Sequence, residues 1–227
     1  MQHAARRFPT LDSAGLLRGV EVLAAKDPDL AAISKQFGPP PLWDRPAGFP
    51  ALIRIILEQQ VSLASAEAAY KRLIKAANPL IPGRFLEFSD TKLKAIGFSR
   101  QKAGYGRVLA QALLQGDLNL VQLETMDNSA VITELTKLKG IGVWTADIYL
   151  LMVLLRPDVW PRGDIALAVS MQRVKGLQER PDNERMAAIS KAWKPWRSVA
   201  ARLLWHFYLS EKRARTPITK TRPLVDQ

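Results

Sequence analysis

The 227-residue chain predicts an all-α fold. Three observations carry that expectation: apolar residues recur at helical period in nearly every segment, no alternating run bounded by turn residues demands a sheet, and the connections between short helices are themselves short. Leu16, Leu17, Val20 and Leu23 mark a first helix, opened by Asp12 or Ser13 as cap. A second helix around Ile33 and Phe37 ends at the proline run Pro39 to Pro41, and a turn-rich stretch reaches Pro50. Ala51 to Val61, ALIRIILEQQV, reads as a mostly buried helix. Ser62 caps the next, whose apolar stripe is Ala66, Ala69, Tyr70, Leu73 and Ile74. Leu93 to Ala103 (LKAIGFSRQKA) and Leu138 to Ala146 (LKGIGVWTA) echo one another as an Ile-Gly turn before a helix. The first copy has Ala95 where the second has Gly140, so the first reads as a structural turn and the second as the working one. Asp164 opens a further helix, IALAVSMQRV. Beyond Ser210 the tail 211–227, EKRARTPITKTRPLVDQ, is polar, basic and proline-containing, and is expected to be unstructured.

Composition narrows the partner and the chemistry. Lys plus Arg number 33 against 21 Asp plus Glu, a formal charge of +12, which makes a polyanion the leading partner. Nucleic acid is favoured over membrane, because the longest apolar run, Ile148 to Leu155, is far too short to span a bilayer. The N-terminal residues lack the apolar stretch of a secretory signal, so a cytoplasmic location is expected. The sequence has no cysteine, which excludes disulfides, thiolate nucleophiles, cysteine zinc sites and an iron–sulfur cluster. The two histidines, His3 and His206, have no spaced partners that suggest a metal site. Chemistry must therefore rest on carboxylates, amides, hydroxyls and lysines.

The densest signal lies between Leu138 and Asp164, LKGIGVWTADIYLLMVLLRPDVWPRGD. Gly140 and Gly142 are able to take positive φ in a tight hairpin and, lacking a Cβ, let backbone N–H groups approach a phosphate at the N-terminus of the helix from Val143; Thr145 offers a further donor. An ordinary glycine-mediated helix reversal is the plainer alternative. Asp164 has the position of an N-cap, and a capping carboxylate is rigidly held, so it also suits a fixed negative charge facing a developing cation. Of six tryptophans, Trp144 lies directly after the hairpin where a flat ring would stack on an extruded base, and Trp205 beside His206 is a second candidate wall. Trp43, Trp160, Trp193 and Trp196 read as packing residues, Trp196 anchoring the last helix; Trp160 is retained as a third candidate for the base pocket. Gln59 and Gln60 end an apolar helix, either fraying into solvent or supplying an amide that fills the DNA stack behind a flipped nucleotide.

These motifs resemble the helix-hairpin-helix, Gly/Pro-rich, Asp superfamily of DNA base-excision glycosylases, and within it the 3-methyladenine DNA glycosylase II branch. The resemblance rests on ILEQQVS (Ile56 to Ser62), GFSRQKA (Gly97 to Ala103), LKGIGVWTADIYLL, RPDVWPRGDIAL (Arg156 to Leu167) and WKPWRSVAARLLW (Trp193 to Trp205), in that family's order. It implies two helical lobes with a DNA-binding cleft between them and no N-terminal β-domain. One lobe would comprise 1–48 plus 160–227, the other 49–159 with the helix-hairpin-helix at 127–155.

By the same resemblance Asp164 is the catalytic aspartate, Gly140, Gly142 and Thr145 grip the DNA backbone, Gln59 or Gln60 fills the vacated stack, and Trp144 and Trp205 line the base pocket, with Trp160 a further candidate. No cofactor is required; carbonyls of Leu138, Lys139 and Ile141 are candidates for holding a structural Na⁺ or K⁺. Ile148 and Ile165 stand where some members have pocket tyrosines, and Trp144 stands where strand-cutting relatives place a Schiff-base lysine. The expected function is that of a monomeric, monofunctional hydrolase that flips alkylated bases such as 3-methyladenine and 7-methylguanine out of double-stranded DNA and excises them. The alternative is a non-catalytic helix-hairpin-helix module that recognises DNA structure.

Overall fold

A computed structural model describes residues 8–215, and among these there are thirteen α-helices, one 3₁₀ turn and no strand. The helices are α1 Ser13–Lys26, α2 Pro28–Phe37, α3 Phe49–Glu58, α4 Leu63–Ala76, α5 Pro82–Leu86, α6 Asp90–Ile96, α7 Arg100–Gln115, α8 Leu120–Leu123, α9 Asn128–Thr136, α10 Val143–Met152, α11 Ile165–Val174, α12 Asn183–Ser190 and α13 Arg197–Arg215, with the 3₁₀ turn at Lys191–Trp193. The expected all-α class is what the described residues form.

Caps set most of the boundaries. Asp12, not Ser13, opens α1 as its N-cap, its Oδ1 accepting the Gly15 N–H at 2.6 Å, and Ser62 caps α4 through the Ser65 N–H. The second helix stops at Gly38, whose φ of 76° ends it before the proline run begins. Helix α3 is displaced from its expected span: Pro50 in the first turn lets it start at Phe49, and it ends at Glu58, leaving Gln59, Gln60 and Val61 outside. The C-terminal expectation also needs correction. Helix α13 carries Glu211 to Arg215 as regular helix, because local helix propensity there outweighs polarity; residues 216–227 of the tail lie outside the described residues.

The helices fall into two packed groups. In one, α1, α2, α11 and α13 lie against each other, with α12 and the 3₁₀ turn beside them. The crossing of α1 and α13 is so close that a Cβ on Gly19 would lie 2.8 Å from Trp196 and Val199. In the other, the fully buried α3 side chains Leu52, Ile53, Ile55 and Ile56 form the centre against which α4, α7 and α10 pack. The groups join at the end of α10, where the Leu155, Met152 and Leu151 carbonyls accept from Leu11 N, Arg45 N and the buried Arg202 Nη2. Asp27, 8 % exposed, ties the first group together: it caps α2, accepts both contacts from Lys175 Nζ at 2.7 Å and takes the indole N–H of Trp193 at 2.8 Å.

Candidate active site

Helix α10 organises the site. Its N-terminus is the hairpin. Gly140 has φ 98°, as expected, but Gly142 is extended at φ −90°, a conformation open to any residue, so only the first glycine is there for its dihedral. Space reinforces the difference: a Cβ on Gly140 would lie 2.0 Å from Tyr105 Cγ, whereas one on Gly142 would meet nothing within 4 Å. Gly142 caps α10 with no side-chain bond, leaving the first-turn N–H groups without an intrahelical partner; Gly142 and Val143 themselves are exposed. The earlier echo ends differently, since Ser99 accepts from the Lys102 N–H and closes α7, and the left-handed residue there is Gly97, φ 118°.

The two glutamines separate. Gln59 Nε2 donates to the Gly140 carbonyl at 2.9 Å and to Thr145 Oγ1 at 3.0 Å, bolting the end of α3 to the hairpin. Gln60 is exposed and held at φ 54°, a left-handed conformation that costs a non-glycine residue energy. Thr145 departs from its expected role: it is 2 % exposed and its hydroxyl accepts from Gln59, so it braces the hairpin from behind and offers no donor at the surface. Between the Gln59–Gln60 turn, the start of α7 and the hairpin lies a cavity of about 390 Å³, lined by Lys102, Tyr105, Lys139 and the hairpin glycines among others. Burial pulls the Lys102 ammonium below the usual lysine pKa, and its Nζ donates to the Leu57 carbonyl at 2.7 Å.

Asp164 caps α11 through a 2.9 Å bond from Leu167 N to Oδ1. Two indoles complete its surroundings: Trp205 Nε1 donates to Oδ1 at 3.2 Å and Trp144 Nε1 to Oδ2 at 3.0 Å. Both oxygens are thus oriented by N–H donors. The side chain is 8 % exposed, yet its neighbours Arg162, Gly163 and Ile165 are all exposed, Ile165 by 69 %, so the carboxylate is recessed in a surface turn and not sealed in the core. Trp160 lies outside this group: it is 6 % exposed and its ring centroid is 5.5 Å from that of Trp193. Ile148 is buried in α10.

The turn that carries Asp164 is held by residues the sequence reading did not select. Asp147, 2 % exposed on α10, accepts from Arg162 N at 3.1 Å, Nε at 3.0 Å and Nη2 at 3.1 Å. That contact holds the Arg162 guanidinium above its ordinary pKa, against a smaller opposing push from burial. Gly163, at φ 79°, donates its N–H to Asn183 Oδ1 at 2.8 Å. The legible signal for Asp147 was a lone acid inside an otherwise apolar helix, a placement that costs energy unless it is paired. Among the described residues no three His, Asp or Glu side chains gather to hold a metal ion.

Residues 53–195 match the HhH-GPD superfamily of base excision DNA repair proteins. The chain belongs to that superfamily. Among its relatives is YfjP of Bacillus subtilis, 29 % identical over 186 residues that cover 78 % of this chain and 64 % of that protein, so this chain spans just under two thirds of its length. A DNA-3-methyladenine glycosidase from Bacillus halodurans superposes with a TM-score of 0.70 at 30 % identity, covering 91 % of this chain and 94 % of that one. The Schizosaccharomyces pombe 3-methyladenine DNA glycosylase in complex with abasic DNA shares the fold, with a TM-score of 0.74 at 24 % identity over 83 % of this chain and 95 % of that one.

Proposed function

We propose that this HhH-GPD protein is a monofunctional DNA glycosylase that hydrolyses the N-glycosidic bond of alkylated bases, 3-methyladenine and 7-methylguanine foremost, in duplex DNA. The observation that carries the reading is one carboxylate, Asp164, oriented by two indole N–H groups and a helix N–H in a surface turn beside an uncapped helix-hairpin N-terminus. The names of the Bacillus halodurans and Schizosaccharomyces pombe proteins support the same substrate class.

In this mechanism the two helix groups are the lobes of a DNA-binding groove, and the N–H groups after Gly142 hold a backbone phosphate without reading sequence. Gln60, exposed at the end of α3, enters the stack while Gln59 keeps the hairpin in register with it. The target nucleotide rotates out beside Trp144 and Trp205, and a cationic alkylated base is favoured by contact with their electron-rich rings. Such a base departs as a neutral molecule with the bonding electron pair, so no general acid is needed. The sugar is left as an oxocarbenium ion, which the fixed Asp164 anion stabilises while it orients the attacking water and receives its proton.

Backbone carbonyls are hard oxygen donors suited to Na⁺ or K⁺, and those of Leu138, Lys139 and Ile141 would hold such an ion beside the phosphate, adding positive charge there; the Leu138 carbonyl already accepts the Ile141 N–H. The protein is read as acting alone as a monomer in the cytoplasm, and among the described residues no helix is long and apolar enough to cross a membrane. The test is incubation with duplex DNA treated with a methylating agent, followed by mass spectrometry of the freed bases. Release of alkylated purines is expected, with no borohydride-trapped protein–DNA adduct; wild-type protein that binds the DNA and frees no base would contradict the proposal and leave a recognition module.

A further inference from the structure

We infer that Asp147 is the positioning residue for Asp164, clamping the turn that carries it through Arg162; the inference rests on the glycosylase reading above. Trp144 and Asp147 stand three residues apart and so share one face of α10. Each meets the following turn: Trp144 Nε1 reaches Asp164, and Asp147 takes three N–H groups of Arg162, two residues earlier. The helix that presents the hairpin to DNA therefore also fixes the catalytic turn, at two points. Asn183 secures the opposite side through the Gly163 N–H.

The turn needs this. Arg162 and Gly163 are exposed, so between the buried Pro161 and Asp164 the chain is held by polar contacts. An ion pair with a carboxylate 2 % exposed is a poor way to gain stability, because desolvating the acid costs about as much as the pairing returns. What it supplies is direction: a guanidinium fork matched to a carboxylate, with the main-chain N–H of the same residue on the same oxygen, allows one arrangement of the turn. Displacement of a reacting group by about 1 Å costs on the order of 100-fold in rate, so the clamp acts on chemistry and not on DNA affinity.

The test is single-turnover base release from methylated duplex DNA with enzyme in excess, together with the DNA Kd and the Tm, for wild type, Asp147→Ala, Asp147→Asn, Arg162→Ala and the double alanine variant. Asp147→Ala should slow release about 100-fold with Kd within about threefold of wild type. Asp147→Asn still accepts the Arg162 main-chain N–H and should recover at least about tenfold of that loss. The double variant orphans neither charge, which keeps the question open to measurement should Asp147→Ala fold poorly, and it should match Asp147→Ala within about threefold. Unchanged release by a folded Asp147→Ala or double variant, a loss that follows Kd, or multiplying losses in the double variant would overturn the inference. Base release by wild type in the same assay separates that failure from failure of the glycosylase reading.

Discussion

At the scale of single residues, the adjacent glutamines make opposite predictions. Gln60 sits at φ 54°, so Gln60→Gly relieves backbone strain; thermal melting should show unchanged or higher stability, by up to about 1 kcal/mol, while base release from duplex DNA falls at least about tenfold. Gln59→Ala loses two hydrogen bonds to the hairpin and should cost about 1–2 kcal/mol by denaturant unfolding, with weaker DNA binding. Sequence alone left the pair unresolved, because two neighbouring amides at a helix end differ only in the dihedral each adopts. The tryptophans show the same limit. Their number and their nearness to the hairpin were legible, but that Trp144 and Trp205 turn their N–H edges to the two oxygens of Asp164 depends on tertiary contacts 20 and 41 residues away in the chain.

At the scale of elements, the hairpin glycines should respond unequally. Gly140→Ala adds a Cβ against the base of the Tyr105 ring at a positive φ, and a loss of about 2–4 kcal/mol is expected by urea unfolding. Gly142→Ala has room and an ordinary φ, so it should cost about 1 kcal/mol, the price of a poorer cap. Equal losses would show that dihedral and contact are not what the first glycine provides. Helix identity was readable throughout from period and caps, as at Asp12 and Ser62, because those signals are local. Exact ends were less so: α3 begins early where Phe49 finds the core, and α13 runs on through a stretch whose polarity alone suggested disorder. Asp27 joins elements across the first group. Burial pushes its carboxyl up, but bonds from Lys175, Trp193 and Leu30 outweigh this and hold it below the usual carboxylate range. A depressed folded pKa means that its stabilisation is complete above the unfolded value of about 3.9 and is lost as pH falls through the lower folded value. Asp27→Asn should therefore cost about 2 kcal/mol at neutral pH, and the gap from wild type in pH-dependent urea unfolding should close only on that acid side.

At the scale of the whole molecule, a charge of +12 and an uncapped helix terminus predict binding dominated by phosphate neutralisation. Two neutralised phosphates already imply about a tenfold rise in Kd between 50 and 200 mM salt, so fluorescence anisotropy should show at least that, with little dependence on duplex sequence. Under the proposed function, affinity and chemistry belong to different parts of one structure: the basic residues and hairpin would hold DNA, and a single recessed anion would act on the sugar. The most direct measurement of that division is Asp164→Asn, assayed for base release from methylated duplex DNA and for DNA Kd in parallel. The account predicts that release falls at least about 1,000-fold while Kd stays equal or tightens; an Asp164→Asn protein that folds and still frees alkylated bases at near wild-type rate would contradict it.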